Sequence, residues 1–236
     1  GSGSSTLRSQ VFILLGKMAQ YHPSEVSVNN RHKLLFQLYM DTLRQQSTEA
    51  SPDSQLIVGT FKGIECYLHQ FEATTPTSTT TTSSNNIGNS SSTASQTNHM
   101  TLLYSYMITA LERIDASRHD LPKAALSLLG THSYPFREYL TIDAEKMYDR
   151  MKLLCNHRND KVRKHAFRAL DAFLSHVAHE LVASSNVTSD GGQRIRSVEL
   201  NQRTFLILLD QFKQMLDQKK SNPQWNNKNI LSMAIR

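Results

Sequence analysis

The sequence predicts an all-α fold, an α-solenoid in which antiparallel helical pairs stack side by side. Apolar residues recur at helical spacing in nine separate segments, and no segment shows the strict alternation of a half-buried strand. The chain of 236 residues holds only nine glycines and six prolines, which is too few for a β protein rich in turns. Both ends of the pattern look like interrupted pairs, so we expect a piece of a longer helical array.

Prolines and capping residues set the boundaries of the first three helices. The first, Leu7–Tyr21, ends before Pro23 because a residue that precedes proline avoids helical backbone angles. It would be half of a preceding pair. Asn29 or Asn30 can cap the second helix, and Ser51-Pro52 would place a proline at the first position of the third. The apolar side chains that share one face of the first helix are Val11, Leu14, Leu15 and Met18. The predicted helices, in order, are 7–21, 30–46, 53–71, 99–116, 122–133, 137–156, 160–183, 198–216 and a ninth that begins near 226.

Two polar segments divide the helices into three groups. Residues 73–98 consist mainly of Thr, Ser and Asn and contain no Lys, Arg, Asp or Glu, so they are predicted to form a disordered insertion. Residues 184–195 contain Gly191-Gly192 and are predicted to form a loop. Residues 1–6 resemble a leader or an expression scar and are left out of the fold. The helical groups are therefore 7–72, 99–183 and a truncated pair at 196–236.

Basic charge is concentrated in one helical hairpin. The chain holds 26 Lys and Arg against 20 Asp and Glu, a net charge of +6. Residues 150–170 alone hold seven basic residues and one acidic residue, also +6, so the rest of the chain is neutral. Such a surface could follow the phosphate backbone of DNA without reading its sequence, or it could be an ordinary solvated helix face. The candidate DNA-backbone residues are Arg150, Lys152, Arg158, Lys161, Lys164 and Arg168.

No residue pattern predicts catalysis, a cofactor or a metal site. The chain has no glycine-rich phosphate loop, no His-Arg-Asp catalytic loop and no Asp-Phe-Gly metal site, the motifs of a protein kinase. His176 and His179 could share a helix face, but no further ligands cluster near them. Cys66 and Cys155 lie in apolar helical patterns and are expected to be buried free thiols of an intracellular protein. No apolar run is long enough to span a membrane, and no small-molecule substrate is expected.

The central hairpin resembles a HEAT repeat in the turn between its two helices. The residues that carry the resemblance are Leu153-Leu154, the turn Asn159-Asp160-Lys161-Val162-Arg163, and Ala166, Ala169 and Leu170. Residues 137–183 are the best-matching repeat. In that family the acid and the arginine of this turn commonly join neighbouring repeats, which implies an inter-repeat structural role for Asp160 and Arg163. The Asp160 carboxylate is also expected to cap the second helix of the hairpin.

Short blocks spread in order along the chain carry a second, wider resemblance. They are Val11-Phe12, Leu14-Leu15-Gly16, His22-Pro23-Ser24-Glu25, Asn29-Asn30, Phe61-Lys62-Gly63-Ile64, Lys164-x-Ala166, Ala169-Leu170, Phe173-Leu174 and Ser232-Met233-Ala234-Ile235-Arg236. Together they resemble the N-terminal helical arm of the DNA-dependent protein kinase catalytic subunits, which belong to the phosphatidylinositol 3-kinase-related kinase family. The polar tract at 73–98 is longer than that family's pattern.

The resemblance implies a non-catalytic segment of a very large nuclear serine/threonine kinase that acts in double-strand break repair by non-homologous end joining. In that family the N-terminal solenoid helps to encircle DNA and meets the Ku heterodimer at DNA ends. The implied partners are therefore duplex DNA ends, Ku and neighbouring HEAT repeats of the same chain, with no membrane. The residues alone also allow a generic HEAT-repeat adaptor, from transport or phosphatase regulation, that binds only protein.

Overall fold

The computed structural model describes residues 2–71, 91–112 and 119–185, together with residues 206 and 210. Within these ranges every regular element is helical, which confirms the predicted all-α fold. The α-helices are α1 (Ser2–Tyr21), α2 (Pro23–Ser27), α3 (Arg31–Thr48), α4 (Ser54–Phe71), α5 (Ser91–Glu112), α6 (Asp120–Thr131), α7 (Arg137–Ile142), α8 (Ala144–Cys155) and α9 (Asp160–Ser185). Short 3-10 helices cover Val28–Asn30 and Tyr134–Phe136. In the described ranges, none of the helices has the length and apolar character needed to cross a membrane. The chain divides into two compact units, residues 1–128 and residues 129–236.

In the first unit, α1 and α4 run parallel and lie very close together. Contacts follow the same order along both helices, since Ser9 meets Gly59 and Gly16 meets Gly63. A Cβ atom placed on Gly59 would come 2.7 Å from the Cα of Ser9, and one placed on Gly16 would come 2.7 Å from the Cα of Gly63. Only residues without bulky side chains let two backbones approach so closely. Parallel contact of this kind is what equivalent helices of neighbouring pairs make in a stacked array.

Aromatic side chains join α3 to its neighbours. Phe36 of α3 and Tyr67 of α4 stack with their ring centroids 5.2 Å apart. The Tyr39 hydroxyl of α3 donates a hydrogen bond of 2.9 Å to the Phe12 carbonyl of α1. The predicted second and third helices therefore pack as a pair, α3 and α4.

Two helix starts differ from the prediction in how they are capped. Asn30 precedes α3 as predicted, but its backbone is left-handed (φ 59°) and its side chain makes no capping hydrogen bond. The next helix, α4, begins two residues after Pro52. The Asp53 carboxylate accepts the backbone amides of Gln55 at 3.0 Å and Leu56 at 3.2 Å. Asp53, and not the Ser-Pro pair, therefore sets the start of α4.

Of the four large apolar residues predicted on one face of the first helix, only Leu15 is partly buried. Val11, Leu14 and Met18 are all exposed. The buried side of α1 is formed by small residues such as Gly16 and Ala19, because the close approach to α4 leaves no room for larger ones. Three of the four residues of the predicted apolar stripe of α1 therefore add no buried side chain to the core of this unit.

Helical structure extends into two segments that were predicted to lie outside the helices. α5 starts at Ser91, so residues 91–98, assigned to the disordered insertion, are helical. A helix that has started gains one hydrogen bond for each further residue, which favours extension into a polar segment. Residues 2–6, set aside as a leader, belong to the first turns of α1. Residues 72–90 of the predicted insertion lie outside the described residues.

The second unit is built on the α8–α9 hairpin. The single helix predicted at 137–156 is divided into α7 and α8, because the backbone departs from helical angles at Asp143 (φ −100°, ψ 22°). α8 and α9 pack together as an antiparallel pair, and α9 begins at Asp160 as predicted. The predicted loop and the helices near 198–216 and 226 lie outside the described residues, apart from residues 206 and 210. Side chains without exposed surface in the hairpin include Met147, Tyr148, Met151, Leu154, Val162, Ala166, Leu170 and Phe173.

Candidate nucleic-acid interface

The turn between α8 and α9 is held by its own side chains. The Asn159 oxygen Oδ1 accepts the backbone amides of Lys161 at 2.9 Å and Val162 at 3.4 Å, so Asn159 is the N-cap of α9. The buried ring of His157 accepts the Asn159 amide at Nδ1, 3.0 Å away. The prediction that Asp160 caps the helix is therefore wrong by one residue. Asn and Asp are both common caps, and only the reach of the side chain to the free amides distinguishes them.

Arg163 provides a second set of bonds to the same turn. Its guanidinium donates to the carbonyl oxygens of His157 at 2.8 Å and Arg158 at 2.9 Å, and it pairs with the Asp160 carboxylate at 2.9 Å. The Arg163 side chain is 18% exposed, whereas that of Asp160 is 80% exposed. The charge of Arg163 is thus engaged inside the hairpin. The observed bonds stay within this one turn, and a bond from Asp160 or Arg163 to a neighbouring repeat stays a prediction.

Three predicted basic residues form an exposed stripe, the basic face of α9, which consists of Lys161, Lys164 and Arg168. They follow one another at intervals of three and four residues, so they lie within about 60° around the helix and extend roughly 10 Å along its axis. The buried side of the same helix consists of Val162, Ala166, Phe167, Ala169, Leu170 and Phe173. The three cations therefore project from a helix whose other side is fixed by its core.

The other predicted cations are placed less uniformly. Arg158 is exposed in the turn beside the basic face, whereas Arg150 and Lys152 are partly buried on α8. Acidic residues flank the segment, with Asp149 exposed and Asp171 partly buried. When these two are counted, the segment holds seven basic and three acidic residues, a net charge of +4. The exposed cations of the candidate interface are Arg158, Lys161, Lys164 and Arg168.

The cysteines and histidines do not form a reactive or metal-binding centre in the described ranges. Burial raises the pKa of the Cys155 thiol far above its usual value, and burial also raises the pKa of Cys66. Such thiols stay protonated and are poor nucleophiles. His176 bonds the Ser133 hydroxyl at 2.8 Å, and the side chain of His179 lies outside what the structure describes. No group of three or more His, Cys, Asp or Glu among the described residues could hold a metal ion.

An open cleft of about 770 Å³ in the first unit is lined mainly by hydroxyl and amide side chains. Its two carboxylates are already engaged. Asp53 caps α4 and accepts the Ser5 hydroxyl, and Asp120 pairs with Lys123 at 3.3 Å. The described lining residues include no histidine that could activate a hydroxyl as a nucleophile. The cleft therefore gives no support to a catalytic function.

Comparison with known proteins identifies the family. A family model described as "DNA-PKcs, N-terminal" matches residues 3–236, nearly the whole chain. The chain belongs to this family. The DNA-dependent protein kinase catalytic subunit of Dictyostelium discoideum is 27% identical over 237 residues, which cover 100% of this chain and 5% of the relative. The subunit of Xenopus laevis is 28% identical over 188 residues, 78% of this chain and 4% of the relative. That of Canis lupus familiaris is 25% identical over 234 residues, 98% of this chain and 5% of the relative.

Membership in the DNA-PKcs N-terminal family confirms the resemblance predicted from the sequence blocks. The chain spans about one twentieth of the length of these relatives. It corresponds to their N-terminal region, which is not the kinase domain, so the prediction of a non-catalytic segment of this family is confirmed as well. At 25–28% identity most of the aligned residues differ between the proteins.

Proposed function

We propose that this chain is a non-catalytic scaffold segment of a nuclear DNA-repair serine/threonine kinase. In double-strand break repair by non-homologous end joining it positions DNA ends and the Ku heterodimer for a kinase domain located elsewhere. The relatives of this chain are named DNA-dependent protein kinase catalytic subunits, and that name states a dependence on DNA. Family membership and a basic helical face together support a segment that binds DNA without reading its sequence.

The observation that carries the proposal is the basic face of α9. Its three cations are already aligned in the folded chain, because Asn159 caps the start of the helix and Arg163 is bonded to the turn before it. Duplex DNA carries about one charge per 1.7 Å of its axis, so a stripe roughly 10 Å long meets several phosphates. Lys and Arg side chains bind phosphates without regard to the base, which suits DNA ends of any sequence.

Fluorescence anisotropy of a labelled DNA duplex tests this proposal directly. Replacing Lys161, Lys164 and Arg168 by Glu should weaken binding at least about tenfold at low salt, because three phosphate contacts become repulsive. The matched control replaces three exposed cations of the first unit by Glu and lowers the net charge by the same six units. The control positions are Arg8, Lys17 and Lys33. If the wild-type chain does not bind, or if both triple variants lose affinity equally, the basic face is not a specific DNA site.

The Ku part of the proposal needs a separate measurement. The affinity of the 236-residue chain should be higher for a DNA end that already carries purified Ku heterodimer than for the same bare DNA end. Equal affinities for the two would show that this segment makes no contact with Ku, and they would leave DNA binding by the basic face untouched.

The competing function is a generic HEAT-repeat adaptor that binds only protein. One observation favours it: the exposed apolar residues of α1 lie at helical spacing and form a continuous stripe. Leu7 and Leu14 are 66% and 59% exposed, and Val11 and Met18 complete the stripe. This function becomes the better explanation if the chain does not bind duplex DNA even at low salt.

A further inference from the structure

The side of α1 that lies opposite its contact with α4 carries a row of large apolar side chains. With about 100° per residue, these side chains lie within about 80° of one another. Gly16, which meets α4, lies roughly 180° from the middle of the row. The exposed fractions range from 42% for Val11 to 70% for Tyr21. This surface, the outer stripe of α1, consists of Leu7, Val11, Leu14, Met18 and Tyr21.

The spacing of the outer stripe is that of a coiled-coil seam. Its members follow one another at intervals of four, three, four and three residues, which is the heptad repeat of positions a and d. Leu7 and Leu14 then occupy position d, and Val11 occupies position a between them, a pattern that favours the pairing of two helices. From Leu7 to Tyr21 the seam extends about 21 Å. The outer stripe therefore fits one further helix that lies along α1.

Cations flank the outer stripe on both sides. Arg8 and Lys17 are exposed, and they lie about 100° and 80° from the middle of the stripe in opposite directions. They occupy the positions e and g, where charges select the partner of a coiled coil. The sequence of α1 contains no Asp or Glu, and Asp53 contacts Ser5 on the side of α1 that faces α4. The outer stripe therefore favours a partner with acidic residues beside its own apolar seam.

Charge and shape argue against two other occupants of the outer stripe. A second copy of this chain would bring two positively charged helices together with no carboxylate on either α1 to pair with their cations. A helix that lies on a membrane surface has a broad apolar face and a strongly charged face opposite to it. The outer stripe is only about 80° wide, and the opposite side of α1 packs on α4.

We infer that the outer stripe of α1 is a docking site for a single amphipathic helix of a protein partner. That helix carries apolar residues at heptad spacing and Asp or Glu at the positions that flank them. The inference does not rest on the proposed DNA binding, which uses α9 in the second unit. It holds whether the chain is a DNA-repair scaffold or an adaptor that binds only protein.

Two labelled peptides of three heptads each test the inference with the 236-residue chain. Both carry Leu at every a and d position, and one carries Glu at every e and g position where the other carries Lys. Fluorescence anisotropy at low salt should show that the acidic peptide binds at least about fivefold more tightly than the basic one, because only the acidic peptide can pair with Arg8 and Lys17. Arg8→Glu combined with Lys17→Glu should reverse this preference.

Exposed leucines provide a matched pair of variants. Leu7→Gln combined with Leu14→Gln should abolish binding of the acidic peptide. Leu34→Gln combined with Leu153→Gln changes two leucines outside α1 that are 68% and 64% exposed, and it should leave binding unchanged. If the α1 variant lowers the melting temperature, the charge reversal at Arg8 and Lys17 decides the question.

Several outcomes would overturn the inference. They are equal affinity for the two peptides, a preference for the acidic peptide that survives the charge reversal, and equal loss of binding in the two leucine variants. Binding to anionic phospholipid vesicles without binding to the acidic peptide would make the outer stripe a membrane-binding surface instead. Self-association of the wild-type chain that the α1 leucine variant abolishes would make the occupant a second copy.

Discussion

Gly16 of α1 and Gly63 of α4 lie face to face where the two helices run parallel. A Cβ atom on Gly16 would come 2.7 Å from the Gly63 Cα and 2.9 Å from its carbonyl carbon, both of which are backbone atoms that cannot move aside. The contact between these helices is therefore set by the backbone of α4 and not by interlocking side chains. It makes the helix pair sensitive to a single methyl group.

Gly16→Ala should destabilise the chain by about 1–3 kcal/mol in the free energy of unfolding, because the new methyl group overlaps the α4 backbone. Alanine is otherwise the better helix former by up to about 1 kcal/mol, so the sign of the effect reports the contact. The matched control is Gly3→Ala, also in α1, where an added Cβ meets nothing within 4 Å. Urea denaturation that shows Gly16→Ala to be as stable as Gly3→Ala would contradict the close packing of α1 and α4.

The start of α9 gives a prediction that separates two adjacent residues. Asn159→Ala should lower the free energy of unfolding by about 1 kcal/mol, because it removes the acceptor for the Lys161 and Val162 amides. Asp160→Ala should lower it by only a few tenths of a kcal/mol, because the Asp160 carboxylate, which pairs with Arg163, is 80% exposed. Chemical denaturation of both variants gives the ranking. A larger loss for Asp160→Ala than for Asn159→Ala would show that Asp160 is the N-cap of α9, as predicted from the sequence.

Two buried tyrosines should respond in opposite ways to the loss of their hydroxyl group. The Tyr148 hydroxyl is buried and finds no hydrogen-bond partner among the described residues, and burial, with smaller effects of Cys155 and Asp149, raises its pKa to about 12. Tyr148→Phe should therefore be neutral or stabilising by up to about 1 kcal/mol. Tyr39→Phe removes the 2.9 Å bond to the Phe12 carbonyl and should destabilise by about 1 kcal/mol. Equal shifts of the two melting temperatures would contradict the difference between the bonded Tyr39 hydroxyl and the unbonded Tyr148 hydroxyl.

Asp53 should make the stability of the chain depend on acid pH. Partial burial alone would raise the pKa of its carboxyl group, but bonds from the Ser5 hydroxyl and from two backbone amides of α4 outweigh burial and lower the pKa. A pKa lower in the folded than in the unfolded chain means that the carboxylate stabilises the fold above about pH 4, and that this stability is lost as the pH falls through the folded pKa. Asp53→Asn keeps a capping oxygen without the charge, so it should lose less stability than the wild type between about pH 5 and pH 3. Denaturation at the two pH values measures the difference.

The exposed Asp149→Asn variant is the control for this prediction. Identical losses of stability in Asp53→Asn and Asp149→Asn would rule out this role for Asp53.

Helical periodicity was sufficient to predict the class of fold and the hairpin that carries the basic face. The exposed cations and the buried apolar residues of α9 lie where a 3.6-residue period places them. Periodicity failed on α1 for a physical reason. Helical periodicity is read from large apolar residues such as Leu14, whereas the contact between α1 and α4 depends on small residues such as Gly16.

Other features depend on atoms that a sequence pattern does not locate. The division of one predicted helix into α7 and α8 follows from the backbone angles at Asp143, within a continuous apolar pattern. The choice between Asn159 and Asp160 as the cap depends on which side chain reaches the free amides. Tyr134 and His176 are 42 residues apart in the chain, and the packing of the segment after α6 against α9 brings them together.

The central claim, that the basic face of α9 binds DNA phosphates, is tested most directly by the salt dependence of duplex binding. The slope of log K against log salt falls by roughly 0.9 for each phosphate contact that is lost. Replacing Lys161, Lys164 and Arg168 by Gln should therefore reduce the magnitude of the slope by about three, while the same change at Arg8, Lys17 and Lys33 should leave it near the wild-type value. A slope that is the same for the wild type and the α9 variant would contradict the claim.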